Sequence, residues 1–118
     1  MADRRELEHR QRLALALWHY GQRAHETAIN HGFWDNERND AEMIALIHSE
    51  LSEMLEAIRA GNPMSEKIPN ITQAEEEAAD VLIRLLDMAQ GRGFNLADAV
   101  LAKLDYNDKR PHKHGKAF

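Results

Sequence analysis

The chain has 118 residues and a mass of 13.5 kDa; 43% of its residues are apolar and 30% are charged. That composition suits a single domain with its own core, predicted over residues 1–118, and excludes a disordered tail. The absence of cysteine excludes disulfides, thiolate metal sites and a cysteine nucleophile. A net charge of −5 argues against a nucleic-acid coat, which would need a basic surface to displace phosphate counterions. No apolar run approaches the ~20 residues of a membrane span, and the opening MADRRELEHR lacks a signal peptide's apolar stretch. A cytoplasmic protein without a membrane or nucleic-acid partner is expected.

Alanine occurs 17 times and leucine 13 times, against four valines and threonines together, which favours helices over strands. The first helix is predicted from about Arg5 to His31, with Leu13, Leu17, Tyr20, Ala24 and Ala28 along one side. The second begins near Asn39, read as a cap with Glu42 returning the bond, carries Ile44, Ile47, Leu51 and Ile58, and ends at Gly61. The third opens with the capping box Thr72-x-x-Glu75 and runs to Gly91. The fourth starts at Asn95 and must stop before Pro111. Residues 61–71, with two prolines, form a loop, and residues 102–118 lead into a basic, irregular tail. The expected fold is all-α, a four-helix antiparallel bundle-like unit.

Acids stand where the helical pattern wants apolar residues. Glu50 falls inside the apolar arc of the second helix, and Glu53 lies on its border one turn away. Burying an unpaired carboxylate costs several kcal/mol, so either these are rim glutamates with their stems on the core or they hold something. Glu77 and Asp80 repeat the i, i+3 spacing on the third helix, although periodicity alone leaves Asp80 on the polar side, free to pair with Arg84. Carboxylates projecting inward from facing helices are how bundles build oxygen-only metal sites, and such ligands select Mg²⁺ or Mn²⁺ over zinc.

Further candidates lie elsewhere. Lys103, Asn107 and Arg110 form one stripe at the end of the fourth helix, suited either to capping or to holding phosphate oxygens. Trp34, beside Phe33, stands in a loop where it either plugs the bundle or stacks on a base. His112 and His114, in a basic tail, fit solubility or anion contact better than a zinc site.

The arrangement Glu50-x-x-Glu53, 23 residues, Glu77-x-x-Asp80 resembles the signature of the MazG-like all-α nucleoside triphosphate pyrophosphatases. The wording LIHSELSEMLEAIR and EEEAADVLIRLLD, the GFW at 32–34 and the ending KLDYNDKRPHKHGKAF are similar to that family too, over about residues 15–118. Several family members carry a glutamate immediately before the first motif glutamate, where this chain has Ser49, preceded by His48. Water activation would then fall to Glu50 or to a water on the cation. The resemblance implies Mg²⁺-dependent hydrolysis of nucleoside triphosphates between the α and β phosphates, to the monophosphate and pyrophosphate. It implies Glu50, Glu53, Glu77 and Asp80 as metal ligands, and Lys103, Asn107, Arg110 and Trp34 as substrate contacts. It also implies a homo-oligomer, dimer or tetramer, which the wide apolar arcs of the second and third helices favour independently. The alternatives are a narrow dUTP or dCTP pyrophosphatase of the same superfamily, and a non-catalytic dimerising helical module.

Overall fold

The computed structural model describes residues 2–118, and among them every regular element is helical: α1 (Arg4–Asn30), α2 (Asp40–Arg59), α3 (Gln73–Arg92) and α4 (Leu96–Asp108). A short turn at His112–Gly115 follows in the tail. No helix among these residues is long and apolar enough to cross a membrane.

Each helix starts at a side chain that takes up its free N–H groups. Asp3 accepts from Glu6 N, and Asn95 accepts from Asp98 N. Thr72 and Glu75 complete both halves of the expected capping box. At α2 the expectation was half right. Asn39 caps the helix by accepting from Ala41 N and Glu42 N, so both bonds come from its own amide oxygen rather than from a reciprocal Glu42 contact.

The end of α3 also differs from the sequence reading. The helix continues through Gly91 and stops at Gly93, whose φ of 69° places it in the left-handed region that glycine adopts without strain. Gly91 serves another purpose. A Cβ there would overlap the Trp34 ring, so the glycine makes room for the indole against the helix backbone.

Helix α3 is the middle of the structure, packing against α2 on one side and α1 on the other, while α4 packs against α1. The buried apolar residues are small or flexible: Met43 and Ala57 on α2, Ala74, Leu86, Met88 and Ala89 on α3, and Ala97 on α4. Among the described residues, no large side chain is completely enclosed. A second α2 stripe, Ile44, Leu51, Leu55 and Ile58, faces outward, as do Leu82, Ile83 and Leu85 of α3. The accessible surface is 9217 Å², against about 6,500 Å² for a compact monomer of this mass. The radius of gyration, 17.0 Å, likewise exceeds the roughly 13.5 Å expected for a compact domain of this length.

The α2–α3 loop is braced at its root. Asn62 Oδ1 accepts from Ala74 N, and Ser65 Oγ donates to Glu76 Oε2 at 2.8 Å. These bonds fix where α3 begins, and hence where Glu77 faces α2.

Candidate functional site

The α2–α3 packing brings three acids together. One carboxylate oxygen each from Glu50, Glu53 and Glu77 lies within 4.8 Å of the others. Glu50 is buried because it occupies the face of α2 that also buries Met43 and Ala57, seven residues to either side. Glu53, one turn on, is exposed, and Glu77 reaches across from the first turns of α3. Asp80 lies outside this tight group but lines the same cavity as Glu50.

The electrostatics of these acids differ, for identifiable reasons. Burial works to raise the Glu50 pKa, but the 2.9 Å bond from Arg84 Nε to its Oε1 helps pull it below the ordinary glutamate range. Arg84 therefore pairs across the helix interface with Glu50, rather than along its own helix with Asp80. Glu77 is pushed up to about 7, first by burial and then by the facing Glu50 and Glu53 carboxylates. Its Oε2 is enclosed and has no hydrogen-bond partner. Asp80 is raised as well, by burial and by the charges of Glu50 and Glu76. A buried, unpartnered carboxylate oxygen facing two other acids is the arrangement expected of a site that holds a cation, and its hard oxygen donors fit Mg²⁺ or Mn²⁺. Ser49 contributes nothing to this cluster, because its hydroxyl donates to the Leu46 carbonyl of its own helix at 2.6 Å.

A stability effect follows. Glu77 binds its proton more tightly in the folded chain, about 7 against 4.5, so the favourable contribution is complete below about pH 4.5 and is lost as pH rises through 7. In chelator, the melting temperature should fall across that window, and Glu77→Gln should flatten the slope. A wild-type curve that rises from pH 5 to 7 would contradict the assignment.

A cavity of about 620 Å³ opens beside the acids, between α1, α3 and the loop that joins α1 to α2. Glu50, Asp80 and Arg84 lie at one end, with Asp87, Arg38 and Phe33 also on its walls. Its size is that of a small-molecule site.

Asp87 is a buried acid that periodicity did not single out, and it organises the loop. Its Oδ1 lies 2.9 Å from both His25 Nδ1 and Trp34 Nε1, and its Oδ2 accepts from Arg38 Nη1 at 3.3 Å. Helix α1 and the α1–α2 loop are thus both tied to one carboxylate on α3. A signal was present, since Asp87 is the one acid within the run VLIRLLDMA, but propensity could not say what would satisfy it.

The remaining candidates are placed as follows. Trp34 is half-buried, with its indole N–H on Asp87, its ring edge-on to His25, and the guanidinium groups of Arg38 and Arg92 over it at 5.1 and 5.6 Å. It does not line the cavity, whereas the exposed Phe33 does. Lys103 and Arg110 both lie over the Tyr106 ring, at 4.7 and 5.6 Å, and Asn107 Oδ1 is enclosed without a partner. Because α4 packs against α1, this stripe is not among the residues lining the cavity. Compared with known proteins, the chain matches no family model, no curated protein and no solved structure.

Proposed function

We propose that this chain is a divalent-cation-dependent nucleoside triphosphate pyrophosphohydrolase that cleaves between the α and β phosphates. The observation that carries the reading is the convergence of Glu50, Glu53 and Glu77, with a buried orphan oxygen on Glu77, where Glu50 also lines a cavity of small-molecule size. The resemblance of the paired acidic motifs to the MazG-like pyrophosphatases supports it from the sequence side.

In this reading Glu50, Glu53 and Glu77 hold the cation, with Asp80 adding negative charge at the cavity wall. When bound, Mg²⁺ neutralises phosphate charge and acidifies a coordinated water. Arg84 keeps Glu50 ionised through Oε1, which leaves Oε2 as the oxygen that would hold the cation. Glu77 would have to give up the proton it retains near neutrality to hold a cation, so cation affinity should increase as pH rises through 7. Lys103, Asn107 and Arg110 lie outside the cavity lining, and their assignment to the phosphates or sugar rests on the resemblance alone. Arg110→Ala should lower kcat/KM by roughly 10- to 100-fold, the effect of losing a charge-assisted hydrogen bond. Its melting temperature should hardly change, since a helix end at the surface contributes little. A variant that melts several degrees lower yet hydrolyses normally would make Arg110 a structural cap.

The working unit in this reading is a homo-oligomer. The surface in excess of a compact monomer is about 2,700 Å² per chain, or about 5,400 Å² for a pair, which is at the large, obligate end of interface sizes, and it includes the outward apolar stripe of α2. Sedimentation that shows only 13.5 kDa particles at micromolar concentration would refute this.

The deciding experiment measures products from each common nucleoside triphosphate, with Mg²⁺ and with chelator. Cation-dependent pyrophosphate and monophosphate are expected. Release confined to dUTP or dCTP would narrow the enzyme to that substrate, and no release from any nucleotide would overturn the hydrolase reading in favour of a helical interaction module.

A further inference from the structure

The cavity has two chemically different ends. Asp80 and Asp87 both line it and stand seven residues apart on α3, about 10 Å at 1.5 Å per residue. At the first end are the acids assigned to a cation and its phosphates. At the second is Arg38, whose side chain is 13% exposed and whose hydrogen bond to Asp87 uses one branch of its fork. The guanidinium also lies over the rings of Phe33 and Trp34, at 5.8 and 5.1 Å, which restrains its plane.

The pairing with Asp87 decides what Arg38 can recognise. A guanidinium meant for phosphate offers net positive charge, but here the adjacent buried carboxylate cancels that charge and would repel an anion. What remains is a rigid set of N–H donors without net charge, suited to a neutral partner with adjacent acceptors. The reach from the cation end matches a sugar and base attached to the bound phosphate.

We propose that Arg38 reads the nucleobase of the substrate and selects bases presenting two neighbouring acceptors. Guanine does so through O6 and N7, and cytosine through O2 and N3, while adenine and uracil alternate donor and acceptor along the corresponding edges. Phe33, exposed on the cavity wall, supplies an apolar face for the ring. This inference rests on the phosphates lying at the acidic end, but it concerns binding and needs no turnover.

The test is calorimetric titration of the full chain with GMP, CMP, AMP and UMP at saturating Mg²⁺, since monophosphates have no α–β bond and hydrolysis cannot contribute. GMP and CMP should bind about tenfold more tightly than AMP and UMP, the low end of what a bidentate arginine–base pair discriminates. Arg38→Lys keeps the charge but loses the fork, and should erase the preference. Arg38→Gln should shift it towards AMP, because an amide pairs with the N6 and N7 of adenine. Equal affinities for all four, no binding at millimolar nucleotide, or a uniform loss in both variants would overturn the proposal. A base preference without pyrophosphate release would sink the hydrolase reading alone, and hydrolysis without a preference would sink this inference alone.

Discussion

Glu77→Gln should reduce turnover at saturating Mg²⁺ by a factor on the order of 10²–10³, the usual cost of deleting one preorganised charged group at a reacting centre. The same substitution should raise the melting temperature in chelator above pH 7, since it removes an enclosed carboxylate that faces Glu50 and Glu53. The temperature rise that Mg²⁺ brings to the wild type should shrink in the variant. Glu50→Gln should be as inactive but should not share the stabilisation, because it replaces the charged partner of Arg84 across the α2–α3 interface with a neutral amide. Asp80→Asn, outside the tight group, should lose less activity than either. Near-normal turnover in both glutamine variants would remove the cation site from the mechanism.

Asp87→Ala should be the most destabilising single substitution in the chain. It leaves the indole N–H of Trp34, the imidazole of His25 and the guanidinium of Arg38 without their shared acceptor, in a region where the Asp87 side chain is 10% exposed. Breaking one partner of a buried charged pair costs about 3–5 kcal/mol. For a domain of this size that is a fall of roughly 12–20 °C in melting temperature, at a fixed protein concentration. Trp34→Phe, which loses one of those bonds, should cost about 1 kcal/mol. A fall of only a degree or two in Asp87→Ala would show that the 31–38 loop is held by something other than this carboxylate.

The acids of this chain are unequally visible in its sequence. Glu50 was legible because it interrupts an apolar arc whose period is set by the helix itself, and it is buried as that arc implies. The capping box at Thr72–Glu75 and the loop with two prolines were legible for the same reason, since their interactions span only a few residues. Asp80 was ambiguous on the helical wheel, and the wheel could not show that Arg84 turns to Glu50 on another helix.

The sequence by itself determined an all-helical chain, the starts of its helices, and the four acids worth suspecting. The helices, their starts and Glu50 follow from backbone propensity, local capping and the 3.6-residue period, all interactions within a few residues, whereas Glu77 and Asp80 were picked out by their repeated i, i+3 spacing and the motif resemblance. Only the tertiary structure decided which acids converge, that Asp87 gathers His25, Trp34 and Arg38 from distant segments, and that Gly91 is small because an indole lies on it. It also decided that α4 lies against α1, which carries the Lys103–Arg110 stripe with it. Those outcomes depend on how helices cross and which side chains meet between them, a long-range choice set by packing that no single helix encodes.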